Sequence, residues 1–518
     1  MNTQGEILWV DDEIDSLKSQ ILFLKNKGYD VTSVSNGHDA LELLKEKNVD
    51  VVLLDESMPG LTGLETLSRI KEFLPQLPVV MVTKNEAENI MEEAIGSQIS
   101  DYLIKPVNPN QVLLSLKKII DTKRLVSEKT TQAYQQEFRN LFMALSSNPD
   151  HEEWKELYRK LIYWELEMAR SDSSEMMEVL QSQKSEANTE FYKYVSKNYE
   201  KWISGKAEAP VFSHELIKRK IAPHLEQGKS TFLILIDNLR YDQWKAIQHI
   251  ITDSFRLLEE DMFYSILPTA TQYSRNALFA GMMPADIEKK FPSEWKNDDD
   301  EGGKNLYEAR FLEGQLKDLK LDNLKWQYTK ITNNEDGKLF EDNIHNYLNN
   351  DLNVIVYNFV DMLSHARTEM EVLKELASDE VSYRSLTVSW FEHSPLHRAL
   401  RKIADKNIQI FITTDHGTVR VKTPSKCVGD RATTTNLRYK HGRNLQYEDR
   451  DVLAFRDPRV VGLPRPNVSS TFIFAKEDVF LCYPNNYNHY VNYYRNTFQH
   501  GGISLEEMIV PIIRLESK

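Results

Sequence analysis

Hydrophobic and polar positions change their rhythm twice along the 518 residues. In residues 1–120 the short apolar runs EILWV, YDVTSV, DVVLLD, PVVMVT and DYLIKP alternate with segments of amphipathic helical spacing. That alternation predicts an α/β fold, a doubly wound domain with a parallel sheet between two layers of helices. Its functional loops lie at the carboxyl ends of the strands. Residues 121–205 hold no strand-like run. Trp154, Leu157, Leu161, Trp164 and Met168 recur at helical spacing, which predicts a helical connector bundle. From residue 206 the runs TFLILID, DMFYSILPT, LKWQYTKI, NVIVYNFVD, IQIFITTD and DVFLCYP restore the strand–helix alternation, with a central, mostly parallel sheet expected. KNDDDEGGK (296–304) and DPRVVGLPRPN (457–467) read as surface loops. The expected domains are therefore 1–121, 122–205 and 206–518, in keeping with roughly 150 residues per domain.

Composition narrows the classes. Apolar residues at 41% and charged residues at 27% are those of an ordinary soluble protein. Lys and Arg total 64 against 78 Asp and Glu, a formal charge of −14. Nucleic acid and anionic membranes repel such a surface, and no helix-turn-helix signature stands out, so direct DNA binding is not expected. Two cysteines, Cys427 and Cys482, exclude a disulfide framework or a cysteine zinc ribbon and favour a reducing compartment. The start, MNTQGEILWVDDEID, lacks the features of a secretory signal. The longest apolar runs fall far short of the roughly 20 residues that span a bilayer. No membrane span and a cytoplasmic location are expected.

In the first domain, strand ends carry Asp11 and Asp12, Asp55, Thr83 and Lys105. Clustered carboxylates repel one another unless a cation lies among them, and an all-oxygen site suits Mg²⁺. LWVDDE, LLDESMPGLTG, VMVTK and YLIKP resemble, in order and spacing, the receiver domain of two-component response regulators. The resemblance implies that Asp55 is the phosphoacceptor, that Asp11 and Asp12 hold Mg²⁺ with it, and that Thr83 and Lys105 read the phosphoryl group. Tyr102 stands where the family has its switch aromatic; the other reading is a half-buried strand aromatic. Lys84 replaces the small residue usual after the threonine, which bears on access to Asp55.

In the third domain the candidate residues are acids, imidazoles and hydroxyls. Asp237 ends TFLILID, Asp361 and His365 form a D-x-x-x-H pair after VIVYNFV, Asp415 and His416 follow IQIFITT, and His500 opens HGG. Four residues is one helical turn, so Asp361 and His365 can face one ion if the chain is helical there. Mixed Asp and His ligands suit zinc. The set resembles the PglZ-type members of the alkaline phosphatase superfamily, through IDNLRYDQW, PTATQYSRNALFAG, DMLSHA, TTDHGT and QHGG in that order. The resemblance implies two zinc ions, one on Asp361, His365 and His500, the other on Asp237, Asp415 and His416. Thr271 is then the catalytic nucleophile, with Thr269 the competing hydroxyl. Asn238, Arg240 and Arg275 neighbour the ligands in sequence and are candidate substrate contacts. RYKHGRN gathers Arg438, Lys440, His441 and Arg443 either as an anion-binding loop or as a plain exposed basic loop.

Together, the receiver, helical connector and PglZ-like domain resemble the PorX-type response regulators. That resemblance implies a sensor histidine kinase as donor, a phosphorylation-dependent homodimer and a role in type IX secretion and gliding. It also implies contacts with the secretion motor's cytoplasmic component and with a sigma factor. Two functions stay open: a zinc-dependent phosphodiesterase acting on a small phosphoester or a short or cyclic oligonucleotide, and a catalytically idle zinc domain that binds partners or dimerises.

Overall fold

The computed structural model describes residues 4–518 except 76, 85–98, 172–173, 299, 364–378 and 431–432; for 121–128, 171, 174 and 175 it describes the backbone alone. It divides into two compact units, Met1–Gln136 with Arg170–Ser173, and Glu137–Ala169 with Ser174–Lys518. The helix Pro109–Ser146 begins in the first and from Glu137 belongs to the second.

The first unit is built on five parallel strands, β1 (Gly5–Val10), β2 (Tyr29–Val34), β3 (Val51–Asp55), β4 (Val79–Thr83) and β5 (Asp101–Ile104), in the order β2-β1-β3-β4-β5. Successive strand side chains point to opposite faces, and each face has its own core. Ile7, Trp9, Leu53 and Val82 pack with Leu24, Val112 and Leu116 on one side. Leu8, Val10, Val52 and Leu54 pack with Ala40, Leu44, Leu67 and Ile70 on the other. Strands buried on both faces read as unbroken apolar runs, the pattern of a parallel sheet. The helix Gly63–Phe73 starts with a capping box between Thr62 and Glu65. Its first residue must be glycine, because a Cβ there would stand 2.3 Å from the carbonyl oxygen of Asp55.

The second unit centres on a six-stranded sheet. Its strands are β6 (Ser230–Ile236), β7 (Phe255–Tyr264), β8 (Trp326–Ile331), β9 (Leu352–Tyr357), β10 (Ile408–Thr413) and the last strand, Ile509–Ser517. The order is β7, last strand, β10, β6, β9, β8. The pairs β10–β6, β6–β9 and β8–β9 are parallel, and the last strand runs antiparallel between β10 and β7. All seven residues of β6 are buried.

Sequence pattern and structure differ in three places here. β7 begins earlier than DMFYSILPT suggests and ends at Tyr264, because its register is set by the last strand, whereas Ser265–Thr269 turns towards the site. DVFLCYP lies outside the central sheet: Val479–Cys482 pairs instead with Thr423–Lys426. The basic segment RYKHGRN is not a loop; Tyr439–Gly442 is a buried strand paired with Thr471–Ala475.

The connector helices His151–Ser171 and Ser174–Ile203 pack on this unit through an aromatic seam. Trp154 meets Phe191 edge-on at 5.2 Å, Phe191 lies 6.1 Å from Tyr264 of β7, and Tyr199 meets Phe212 at 5.8 Å. Edge-to-face aromatic pairs are worth about 0.5–1.5 kcal/mol beyond the area they bury.

Candidate phosphorylation site and metal centre

At the carboxyl edge of the first sheet, Asp11, Asp12 and Asp55 bring ligand oxygens within 4.8 Å of one another. Lys105 follows β5 and its Nζ lies 2.8 Å from Asp11 Oδ2 and 2.9 Å from Asp55 Oδ2. Burial pushes the Asp55 carboxyl above its ordinary value, against the Lys105 hydrogen bond and with help from the Asp11 charge. Burial acts to lower the Lys105 pKa, but Asp11 and Asp55 outweigh it and raise it. Such a pocket suits a divalent cation and a transferred phosphoryl group. The Thr83 hydroxyl donates to Glu56 at 3.2 Å. Tyr102 is half-buried and packs against the core on one face of the sheet.

Lys84 is drawn away to Glu13 at 3.1 Å, with both side chains 57% exposed. Solvent screens an exposed pair of this kind, which leaves it little effect on stability. Lys84→Ala is therefore expected to leave the urea midpoint of the receiver close to wild type, measured by fluorescence.

The second site lies at the carboxyl edge of the second sheet. Asp237 follows β6, Asp361 follows β9, and Asp415 and His416 follow β10, as the open α/β rule requires. Asp237, Asp415 and His416, all buried, bring ligand atoms within 4.8 Å of one another. Each carboxylate has one oxygen held by the chain and one that accepts no hydrogen bond. Asp237 Oδ2 accepts from Arg275 at 2.7 Å and Asp415 Oδ1 from the His416 backbone at 3.1 Å; Asp237 Oδ1 and Asp415 Oδ2 accept none. His416 Nδ1 lies 3.2 Å from the Gly417 carbonyl, so the tautomer with its proton there leaves a lone pair on Nε2. Two bare carboxylate oxygens and one imidazole nitrogen, buried together, fit a zinc ion.

Electrostatics agree with that reading. Burial pushes the Asp415 carboxyl well above its ordinary value, and the neighbouring Asp237 charge adds to this. Burial opposes ionisation of Asp237 as well, yet Arg275 and His416 outweigh it and hold its pKa down. Burial also lowers the His416 pKa and favours the neutral ring that ligates.

Thr271 is the first residue of the helix Thr271–Ala280, and its Oγ1 lies 3.0 Å from His416 Nε2. Thr269 is fully buried; its hydroxyl donates to the Gly502 carbonyl at 2.9 Å and accepts from Gly501 N at 3.0 Å. His500 stacks on His416 with ring centroids 4.2 Å apart, and its Nε2 is 3.7 Å from Asp361 Oδ1. The structure thus brings Asp237, Asp415, His416, Thr271, His500 and Asp361 into one neighbourhood. Residues 359–363 are helical, but His365 lies outside the described residues.

The expected substrate residues are placed otherwise. Asn238, with φ 67°, donates its backbone N–H to Asp415 and its amide to Asp361, at 3.3 and 3.4 Å. Arg275 lies buried behind Asp237 and pairs with Glu308 at 2.5 Å. Arg240 is fully buried among acids and aromatic rings. Lys440 is buried over the Tyr483 ring, donates to the Thr434 carbonyl and has its pKa pushed down to about 8 by burial. His441 stacks on Phe472 at 4.2 Å, and Arg438 pairs with Glu507. Arg443 is exposed. RYKHGRN therefore offers no open anion cradle, because strand pairing turns most of its cations inward. Sequence reading missed Glu308, which takes Arg275, Tyr328 and Lys330, and Glu507; neither sits in a local motif. It also missed Asp298, in the expected surface loop, whose side chain is 8% exposed and accepts from Tyr273 and Tyr439.

Family models match the chain in three successive stretches. These are the response regulator receiver domain over residues 7–117, the PorX response regulator linker domain over 124–203, and the BREX system PglZ alkaline phosphatase-like domain over 216–515. Fold and site define a response regulator of two-component signalling that carries an alkaline phosphatase-like domain. The last match spans more than half of the residues, and the chain belongs to the PglZ alkaline phosphatase-like family, in the PorX-type arrangement.

Similar curated proteins include transcriptional regulatory protein ZraR of Klebsiella oxytoca, 37% identical over 129 residues, which are 25% of this chain and 29% of that protein. Transcriptional regulatory protein SrrA of Staphylococcus aureus is 32% identical over 116 residues, 22% of this chain and 48% of its own. The chain thus spans less than half the length of these relatives. A CheY-like receiver domain protein from Methanospirillum hungatei, of known structure, is 26% identical, with 23% of this chain and 94% of that chain covered and a TM-score of 0.22. A receiver implies phosphorylation by a cognate sensor kinase. Among the described residues no helix is long and apolar enough to cross a membrane.

Proposed function

We propose that the protein is a response regulator phosphorylated on Asp55 whose PglZ domain is a two-zinc phosphodiesterase with Thr271 as nucleophile. The observation that carries this reading is the Thr271 hydroxyl, 3.0 Å from an imidazole that shares a buried cluster with two carboxylates, each with one bare oxygen. Asp237, Asp415 and His416 would hold one zinc, and Asp361, His500 and His365 the other. Zinc there supplies positive charge that favours the ionised hydroxyl and offsets charge on the phosphoryl oxygens.

The chain's own residues do the rest. Thr271 Oγ1, its proton lost, bonds to phosphorus as the bond to one ester oxygen breaks in line. That oxygen takes up a proton and leaves as an alcohol, and Thr271 is left joined to the remaining phosphomonoester as a phosphodiester. Water then cleaves the Thr271–phosphorus ester and releases the phosphomonoester. The backbone N–H groups that open the Thr271 helix, ahead of Tyr273 and Ser274, which donate to the Ala270 carbonyl, would bind the anion's nonbridging oxygens. The Thr269 hydroxyl is taken up by its bonds to Gly501 and Gly502, which supports Thr271 over it in this role. A diester carries less charge than a monoester, and the buried arginines among the candidate cations are already engaged by acids of the chain, Arg240 by Asp242 and Glu380, Arg275 by Asp237 and Glu308, and Arg438 by Glu507. That supports a diester substrate, with short or cyclic oligonucleotides as its class. Mg²⁺ on Asp11, Asp12 and Asp55 would serve phosphorylation. A phosphorylation-dependent homodimer, contacts with a secretion motor and a sigma factor, and a role in type IX secretion and gliding complete the proposal.

Protein purified without added metal is expected to contain zinc by elemental analysis and to hydrolyse bis(p-nitrophenyl) phosphate. Chelation should abolish turnover and zinc should restore it. A zinc-loaded protein with no turnover on diesters would instead favour an idle binding module.

A further inference from the structure

Arg240 lies three residues after Asp237, and its fully buried guanidinium holds together several parts of the site. Nε and Nη2 donate to Asp242 at 2.9 and 2.5 Å, Nη2 donates to Glu380 at 2.6 Å, and Nη1 reaches the Thr418 carbonyl at 3.4 Å. It also lies over the rings of Tyr383 and Phe498, 5.6 and 5.4 Å from their centroids, and those rings stack on each other at 4.1 Å. Thr418 stands two residues after His416, and Phe498 two before His500. Gly417 packs on the Arg240 stem: a Cβ there would stand 3.2 Å from Arg240 Cγ and 2.0 Å from the Glu506 carbonyl oxygen. Segments carrying Asp237, His416 and His500 therefore meet on one cation.

The charges continue away from the site. Asp242 accepts from Arg384 at 3.1 Å, and Arg384 also pairs with Glu165 of the connector helix His151–Ser171. Glu165 pairs with Lys184 of the second connector helix at 2.9 Å, and Lys184 with Glu506 at 3.0 Å. Glu506 returns to Gly417 through its carbonyl, so the chain of contacts closes on itself. Of these seven charged side chains all but Glu380 are buried. Buried ion pairs are weak stabilisers compared with apolar packing, and where they persist their attested use is to fix one arrangement.

We propose that Arg240 is a positioning residue for the metal centre, and that the chain of charge pairs from Arg240 to Glu506, which comes back to the Arg240 stem through the backbone of Gly417, passes the seating of the connector helices to the ligand-bearing segments. The inference rests on the metal-centre reading and gives Arg240 no contact with substrate. Outer-sphere partners that orient ligands are worth about 10–100-fold in metal affinity.

The test uses full-length protein, zinc affinity by competition with a chromogenic chelator, and circular dichroism. Arg240→Lys keeps the charge but loses the two-pronged hold on Asp242, the reach to the Thr418 carbonyl and the planar guanidinium over the Tyr383 and Phe498 rings, and Glu165→Gln alters the charge chain at the connector. Zinc binding is expected to weaken at least about tenfold in the first and at least about fivefold in the second, with the fold retained. A purely structural role would lower the unfolding temperature while the folded protein kept its affinity. Dissociation constants within twofold of wild type in both variants overturn the proposal, and an effect confined to Arg240→Lys overturns its connector half. Should Arg240→Lys not fold, Glu165→Gln decides by the same thresholds. A wild-type protein that binds no zinc defeats the metal-centre reading instead.

Discussion

Thr271→Ala is expected to remove at least about three orders of magnitude from kcat on bis(p-nitrophenyl) phosphate while zinc content stays at the wild-type level. The substitution takes away the oxygen proposed to attack and leaves every carboxylate and imidazole in place. Thr271 is half-buried at a helix start, and its hydroxyl partner is His416 Nε2 at 3.0 Å. Loss of that one contact has little bearing on stability, so the unfolding temperature should move by only a few degrees. Thr269→Ala makes the informative control. That hydroxyl bridges Gly501 and Gly502 beside His500, so its loss should raise metal requirement and lower stability while turnover at saturating zinc persists. Retention of activity in Thr271→Ala would show that another group attacks.

Glu507→Ala is expected to destabilise the second unit by roughly 3–5 kcal/mol, measured as the shift of its urea transition. The Glu507 carboxylate accepts from Arg438 Nη2 at 2.6 Å and Nε at 3.1 Å, from Gly502 N at 2.9 Å and from the Ser504 hydroxyl at 2.7 Å. Arg438 and Glu507 are both fully inaccessible to solvent. Removing the acid strands a guanidinium in the interior, and the backbone at Gly502 loses its anchor two residues beyond His500. Glu507→Gln retains the shape and one acceptor oxygen, which can keep the bond from either Gly502 N or the Ser504 hydroxyl, so it should cost less than the alanine variant. Equal stability of Glu507→Ala and wild type would mean that water reaches Arg438.

Much of the arrangement was legible because its signals are local. Five apolar runs in the first unit become five strands, and β6, β8, β9 and β10 overlap runs picked out by the same criterion, β6 and β9 each starting one residue earlier. The acids at the ends of β1, β3, β6 and β10 converge because a parallel sheet presents all its carboxyl ends on one edge. What the sequence hid is non-local. Lys440 and His441 look like an exposed cradle beside Gly442, yet pairing of Tyr439–Gly442 with Thr471–Ala475 turns them inward. Arg240 stands three residues after Asp237 and Arg275 four after Thr271, and that proximity to candidate site residues suggests a substrate contact; their partners, Glu380 and Glu308, are 140 and 33 residues away. No periodicity announces such a pairing. The last strand, IVPIIRLES, is absent from the runs named above; it lies between β7 and β10, with all nine of its residues, Pro511 included, in register with β7.

That position has a consequence for how the protein is made. The strand separating β7 from β10 is supplied about 250 residues after β7 has left the ribosome, since Tyr264 pairs with Ile509. At about 5–20 residues per second, β7 waits roughly 12–50 s with its hydrogen-bonding edge bare. Pairings this distant in sequence close slowly, and an unprotected edge invites intermolecular strand addition. Synthesis in a chaperone-poor extract should therefore give aggregates that retain a soluble, phosphorylatable receiver only after proteolysis, because the receiver's five strands are all complete within its first 104 residues.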